Sequence, residues 1–397
     1  MTREEADALD RDDPLRGLRA AFDLPGGVLY LDGNSLGPPP RAALAAARAC
    51  AEEEWRRGLI RSWNEAGWID LPKRAGAKIA RLIGARAHDV IVCDSVSVNL
   101  FKLAGALLAR RPGRTLAVLG DEFPTDQYVL EGLAALTGAP LRRLREGEAF
   151  PERSVVVRSL VHYKTAAVAD MAATERAAAA CGADLIWDLS HATGVLALDL
   201  SRDGARFAVG CGYKYLNGGP GAPAFLYARA DEAAALRQPI AGWMGAKAPF
   251  DFSSVYEPAG GVARFAAGTP PILSLSALDA ALDIFDGLDL LSLERKAQAL
   301  GDLFLAAGEA AGLIPIRVAG RRGGHVAFQH PDGYAIVQAL IARGVIGDFR
   351  APDILRFGFS PLYLSYADVR RAGEILQAVA AGGEFRDPAF ARRATVT

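Results

Sequence analysis

The chain has 397 residues, 51% of them hydrophobic and 23% charged, with a formal net charge of −1 at pH 7. That length suffices for two domains and a large core, and the balanced charge, without a concentrated basic stripe, speaks against nucleic acid or an anionic membrane as a partner. No apolar run reaches the length of a membrane span, the acidic start MTREEADALDRDDPLRG is unlike a signal or transit peptide, and Cys50, Cys93, Cys181 and Cys211 lack CxxC spacing, so they read as reduced cytoplasmic thiols rather than a disulfide framework or a metal site.

Residues 1–27 form a charged helical lead that ends at Leu24-Pro25-Gly26-Gly27. A short apolar strand, Val28 to Leu31, runs into turn chemistry at Asp32-Gly33-Asn34-Ser35, and Pro38 to Pro40 cannot be helical in their middle. This turn suits either a surface bend before the Ala-rich helix over 41–57 or the polar lining of a cleft. Segment 55–69 carries three of the five tryptophans, a density found in cores and interfaces. Trp63 and Asn64, set among polar neighbours, suit a half-exposed lining. A helix is expected over 71–83.

Asp89 to Cys93 is a short strand leading through Asp94-Ser95-Val96-Ser97-Val98-Asn99 into an apolar helix, Leu100 to Ala109. A strand, a serine-rich turn and a helix N-terminus together offer free N–H groups, hydroxyls and a favourable dipole to a phosphate. Ser95 or Ser97 can also simply cap the helix. Thr115 to Leu119 is the next strand, ending at Gly120-Asp121-Glu122-Phe123-Pro124-Thr125-Asp126. Asp126 is expected to cap a helix over 127–136 that Gly138 stops. Phe123, at the strand's carboxyl end, has a face suited to stacking on an aromatic ring. Ser154 to Val157 is another strand, with Ser159 and His162 just beyond it as either ligand contacts or loop residues. A helix over 170–180 follows.

The stretch from Asp184 to Tyr227 organises the rest. An apolar run ends in Asp188, His191 follows three residues later, a second apolar run (Phe207 to Val209) leads to Tyr213-Lys214-Tyr215, and a Gly/Pro loop precedes a third, Ala224 to Tyr227. Alternating strands and helices from about 85 to 228 indicate an α/β domain with a largely parallel sheet, whose ligand site lies at the carboxyl edge. Helices over 274–286 and 288–312, strands at 326–329 and 354–359, and helices near 333–343 and 366–380 read as a smaller α+β unit. The polar tail 381–397 is expected to fray. The domain reading is an N-terminal segment 1–55 packing with the small domain, a large domain 56–275 and a small domain 276–397.

The order strand, Asp, strand, Lys, glycine loop, strand resembles that of fold type I pyridoxal-phosphate (PLP) enzymes. There a lysine forms a Schiff base with the cofactor, and a buried carboxylate keeps the pyridine nitrogen protonated. The segments YLDGNSLGPPP, DSVSVNLFK, EFPTDQY, DLSHATG, GYKYLNGGPG, GWMG, GTPPILSLSALDAALDIF and ILRFGFSPLY occur in register over about residues 28–380 and resemble the kynureninase family. The resemblance implies a PLP-dependent homodimeric hydrolase that cleaves L-kynurenine to anthranilate and L-alanine in tryptophan catabolism, on the route toward NAD biosynthesis.

Carried over residue by residue, the resemblance makes Lys214 the Schiff-base lysine and Asp188 the partner of the ring nitrogen. Tyr213 lies near the phosphate and is a candidate proton relay. Val96 and Ser97 match the phosphate turn, and Phe123, Pro124, Thr125 and Asp126 match the ring-stacking segment. Ser159, His191, Trp243 and Thr269 match further cofactor contacts, the last two positions from a neighbouring subunit in some members. Arg356 matches the arginine that grips the substrate's α-carboxylate. Asn34, Ser35, Trp63 and Gly268 complete the implied substrate site. Vertebrate members carry Asn at the position of Thr269 and His around Trp63. Trp63, Gly268 and Thr269 instead resemble bacterial members that prefer unhydroxylated kynurenine, which implies that 3-hydroxykynurenine is the poorer substrate. The implied alternatives are an aminotransferase, a cysteine desulfurase (which needs a reactive late-loop cysteine, whereas the last here is Cys211) and a non-catalytic amino-acid sensor on the same fold.

Overall fold

The computed structural model describes residues 1–393. The chain begins with a helix, Arg3–Asp12, whose N-terminus is closed by reciprocal hydrogen bonds between Thr2 and Glu5, and reaches a two-residue strand, β1 (Leu29–Tyr30). Seven strands then build the main sheet: β2 (Val90–Val92), β3 (Leu116–Leu119), β4 (Leu141–Leu144), β5 (Val155–Ser159), β6 (Asp184–Asp188), β7 (Phe207–Gly210) and β8 (Phe225–Ala228). Their order is β2-β8-β7-β6-β5-β3-β4. The five strands from β7 to β4 are parallel, and β8 runs antiparallel to both of its neighbours.

The strand interiors are continuous apolar runs because helices cover both faces. Alternation splits them: Val156, Leu185, Trp187 and Ala208 pack into one core, and Val155, Val157, Ile186, Phe207 and Val209 into the other. The helices Pro124–Thr137 and Met171–Ala180 return the chain after β3 and β5, so β3, β5, β6 and β7 all end at one edge. That edge collects residues 120–126, Ser159, Asp188 and the loop after Gly210.

A second sheet follows: β9 (Ile314–Pro315), β10 (His325–Gln329), β12 (Asp348–Arg350) and β13 (Ile354–Gly358), antiparallel in the order β12-β13-β10-β9, with β11 (Val345–Ile346) pairing in parallel with β1. The helices Leu290–Ala310 and Gly333–Ala342 pack on it, with the Phe304 ring tilted against those of Phe357 and Phe359, and Tyr366–Gly382 packs on Leu290–Ala310. The N-terminal segment is tied to this unit. Asp10 accepts the N–H groups of Tyr366 and Ala367, Asp13 pairs with Lys296 at 2.7 Å, and Gly358 donates to the Leu31 carbonyl at 2.7 Å. The helix Arg41–Ala49 packs instead on Ile272–Leu282.

The expected elements are present, with informative differences. The helix expected from 127 begins at Pro124, and Phe123 occupies the N-cap position, so Asp126 is not a cap but an inward-facing residue of the first turn. Of the two candidate caps, Ser95 accepts from Val98 N–H, and its helix starts at Val96 rather than Leu100. The helix over 41–57 turns into π-helix at Cys50. Strand β4 (Leu-Arg-Arg-Leu) lies at the sheet edge, where exposed arginines are tolerated, and its polar pattern hid it. Within the 381–397 tail, Phe385 is buried and two short 3₁₀ turns form. Its last four residues lie outside the described ones.

Asp184 anchors the start of β6, the strand that ends in Asp188. Its buried carboxylate meets Arg110, Arg114 and Arg206 at 2.7, 2.5 and 2.8 Å. Burial pushes its pKa up, but the arginines outweigh burial and hold it below the ordinary value. Asp184→Asn is therefore expected to destabilise the fold by about 3–5 kcal/mol, read by urea unfolding at pH 7. Because the folded pKa is depressed, this contribution is present above the ordinary carboxylate range and fades as pH falls through the folded value. The gap between wild type and variant should accordingly shrink in acid, and a constant gap would contradict the assignment.

Candidate active site

Asp188 ends β6, buried, with Oδ1 accepting the Ser190 N–H at 2.7 Å. Lys214 lies four residues beyond β7 in a tight turn. Its carbonyl accepts Asn217 N–H, and Asn217 adopts a left-handed φ of 57°. The loop after β1 clamps this turn from outside. Gly37 N–H donates to the Tyr213 carbonyl at 2.8 Å, and a Cβ on Gly37 would collide with the Lys214 carbonyl and the Asn217 side chain. Lys214 Nζ sits 5.8 Å from the Phe123 ring centroid and 5.9 Å from that of Tyr213.

These groups enclose a cavity of about 140 Å³. At one end stand Ser95, Val96 and Ser97, the N-terminus of a 15-residue helix with its N–H groups facing inward as an anion site. Phe123, Thr125, Asp126 and Ser159 line a second side, and Asp188, His191, Tyr213 and Lys214 the remainder. Ten of the residues proposed from sequence thus converge in one place, whereas Pro124, as the first residue of its helix, is not part of the lining.

The electrostatics are unusual. Asp126 is 0% exposed, and neither carboxylate oxygen has a partner. Burial, then repulsion from Asp188 and Glu122, pushes it well above the ordinary range, with Lys214 opposing. Burial likewise raises Asp188 against the Ser190 hydrogen bond and Lys214. His191 is held well below its ordinary value by burial and by Lys214, so its imidazole is neutral, and its Nδ1 has no partner. A site that joins buried carboxyls, one of them with no partner, to a helix N-terminus matches a ligand that carries both a cationic and an anionic group. A pyridinium ring carrying a phosphate has that form.

Arg356 lies just behind the cavity on β13, cross-strand from Asp348. Its Nε donates to Asp348 Oδ1 at 2.8 Å, one terminal nitrogen donates to Oδ2, and the other donates to the carbonyl of Tyr163, a cavity residue. Ser35 donates to Asp348 Oδ2 at 2.6 Å and stands 3.4 Å from Arg356. Asn34 is buried beneath Gly358 with both amide atoms unpartnered.

Besides Pro124, and Asn34, Ser35 and Arg356 behind this chain's cavity, four expected residues do not line it. Trp63 packs edge-on against Trp68 at 6.0 Å. Trp243 stacks with Phe252 at 6.2 Å in a separate depression. Gly268 and Thr269 are exposed. All four sit on segments whose large apolar side chains, among them Trp55, Ile60, Phe252 and Leu273, face outward. Sequence reasoning missed Glu122 and Tyr163 as parts of the site and Asp348 as the holder of Arg356. Glu122 opens the segment EFPTDQY but was given no role there, and nothing along the chain links Asp348 to Arg356, which meet only across strands.

The fold and the site together define a fold type I PLP-dependent enzyme. A cysteine desulfurase from Thermococcus onnurineus NA1 superposes with a TM-score of 0.77 at 18% identity, covering 92% of this chain and 98% of its own. The C-DES protein with glycine covalently linked to its PLP cofactor gives 0.77 at 17%, covering 95% and 99%. In sequence, residues 293–376 match the kynureninase C-terminal domain model. The chain is 46% identical to a kynureninase of Burkholderia mallei over the full length of both, and 47% identical to that of Pseudomonas fluorescens over 94% of each. The chain belongs to the kynureninase family.

Gly37→Ala is expected to displace the Lys214 turn while leaving the sheets intact. Overpacking of this kind costs about 1–3 kcal/mol, so cofactor affinity should fall about tenfold with an unchanged far-ultraviolet circular dichroism spectrum. Wild-type affinity in this variant would show that the clamp does not position the lysine.

Proposed function

We propose that the protein hydrolyses L-kynurenine to anthranilate and L-alanine with PLP held through Lys214. The observation that carries this reading is full-length identity to curated kynureninases together with an intact Lys214–Asp188–Arg356 set. When bound, PLP supplies an electron sink for charge developing at the substrate's Cα. Asp188 would hold the ring nitrogen's proton, and Val96 and Ser97 would hold the phosphate. Lys214, as a free amine, would move the Cα proton. Water adds to the γ-carbonyl, the Cβ–Cγ bond breaks, and anthranilate leaves before alanine. Burial raises the Tyr213 phenol far above its ordinary value, which keeps it a neutral donor suited to relaying a proton beside Lys214.

Arg356 is the proposed α-carboxylate clamp. Asp348 takes the side-on fork of the guanidinium, Tyr163 accepts one N–H of the other terminal nitrogen, and Ser35 Oγ accepts a long bond of 3.4 Å, which leaves one N–H unengaged for a carboxylate, with the Ser35 contact the one a substrate would displace. Asn34 and Ser35 border that opening. Trp63, Trp243, Gly268 and Thr269 are assigned to the site of a second copy in a homodimer, a role supported by their place on outward apolar segments. There an aromatic wall offers the 3-hydroxyl of 3-hydroxykynurenine no partner, which makes that substrate the poorer one. The division into 1–55, 56–275 and 276–397 is supported by the two sheets and by the N-terminal contacts to the second. Free cysteines support a cytoplasmic location and a role in tryptophan catabolism is consistent with it, and no helix among the described residues is long and apolar enough to cross a membrane.

Purified protein should show a cofactor absorbance band and convert L-kynurenine to fluorescent anthranilate, and Lys214→Ala should do neither. A band without anthranilate would keep the fold and sink the substrate assignment in favour of transamination or sensing. Asp348→Asn should raise KM for kynurenine about tenfold or more, as expected for loss of a charge-assisted bidentate pair, with a smaller change in kcat. An unchanged KM would remove Arg356 from the carboxylate role.

A further inference from the structure

We propose that Glu122 is a positioning residue of the cofactor pocket: it sets, through Ser159 and Asp126, how much negative charge faces the ring, and it gives up its own proton when a cationic ring is bound. The inference rests on the PLP reading above and extends it to a group that no family segment assigns a role.

Glu122 sits in the turn after β3 and is 3% exposed. Its Oε1 accepts the Ser159 N–H at 2.9 Å, and its Oε2 is buried with no partner. Asp126 follows one turn later, fully buried, facing the cavity and unpartnered at both oxygens. Asp188 enters from the end of β6. Three carboxyls from three elements therefore converge, and a single lysine, Lys214, answers them. Arg158 on β5 faces Glu122, but its guanidinium is drawn outward to Glu146 at 2.7 Å. His162 bonds instead to the Asp121 carbonyl and to Thr165.

Burial, with Asp188 adding repulsion, pushes Glu122 up to about 7 against the Ser159 hydrogen bonds and Arg158. Three anions cannot be held together in a dry pocket opposite one cation. The carboxyl set accordingly retains protons when no ring is present. A pyridinium placed against Asp126 and Asp188 supplies the missing positive charge, so Glu122 ionises and releases its proton to solvent. No covalent bond changes. Conversely, an ionised Glu122 strengthens the hold on a protonated ring.

The test is PLP binding to protein freed of cofactor with hydroxylamine, followed by absorbance from pH 6 to pH 8 for wild type and Glu122→Gln. The amide keeps the acceptor for Ser159 N–H and removes the titration. The ratio of dissociation constants, variant over wild type, should be near one at pH 6 and rise to about ten at pH 8, the equivalent of one pKa unit. Glu122→Asp keeps an ionisable group and should retain the wild-type slope. Calorimetry in PIPES and in imidazole at pH 7 should show more protons released on binding to wild type and Glu122→Asp than to Glu122→Gln or Glu122→Ala, and the alanine variant keeps the proposal testable if the amide variant does not fold. A ratio independent of pH, including a uniform loss of affinity, would reduce Glu122 to a structural role and overturn the proposal. Failure of the wild type to bind PLP at any pH would instead overturn the cofactor reading itself.

Discussion

Burying a carboxyl group costs several kcal/mol unless it is paired or neutralised, and the pocket buries three around one lysine: Asp126 with no partner, and Asp188 and Glu122 with one backbone N–H each. The rest of the site follows from this charge surplus. It explains why the parallel strands end together: β3 delivers Glu122, β6 delivers Asp188, and the helix after β3 delivers Asp126. His191 beside them is held low by burial and by the positive charge of Lys214, so it adds no cation to the site. The charge surplus also explains why the opposite end of the cavity is a helix N-terminus, since the two ends of the ligand must be satisfied with opposite sign. A pocket evolved only for stability would have paired or removed these acids.

The second sheet and the N-terminal segment set the other boundary condition. Arg356, the proposed carboxylate clamp, is held by Asp348 on its side-on fork across the strand pair, and only the weaker Ser35 contact and one unengaged N–H remain on its outer side. Ser35 is attached to the same aspartate, and two residues later Gly37 clamps the Lys214 turn. One short loop after β1 therefore touches both the carboxylate clamp and the lysine. The contact between Leu31 and Gly358 fixes where that loop starts. Substrate orientation and lysine placement are in this way mechanically joined, although they arise from opposite ends of the chain.

Much of this was legible in the sequence because it is local. Asp188, Lys214 and the serine turn before Val96 are each set by a strand end and its following turn, and periodicity and glycine loops mark those directly. What could not be read is what only tertiary geometry creates. Asp126 looked like a helix cap because its neighbours fit one, but Pro124 starts the helix earlier and turns the side chain inward. Asp348 and Arg356 are eight positions apart on separate strands, with no periodic signal joining them. Strand β4 was hidden because an edge strand tolerates polar side chains. Trp63, Trp243, Gly268 and Thr269 were legible as chemistry but not as location, because the surfaces that carry them face away from their own chain's cavity.

The solved neighbours show how little of the chemistry the fold alone dictates. Cysteine desulfurases share the architecture at 18–19% identity, yet thiol chemistry requires a thiolate within reach of the substrate. The cysteine in this cavity, Cys211, is buried, and burial raises its thiol against the pull of Lys214. It stays protonated and inert as a nucleophile, and its sulfur is oriented toward the Ser190 carbonyl. In this chain the fold brings a lysine, an aspartate and an anion-binding helix end to one cavity, a set that serves any reaction in which charge must be stabilised at Cα. What selects among such reactions is the surroundings of that set, and here a buried, protonated thiol removes one of them.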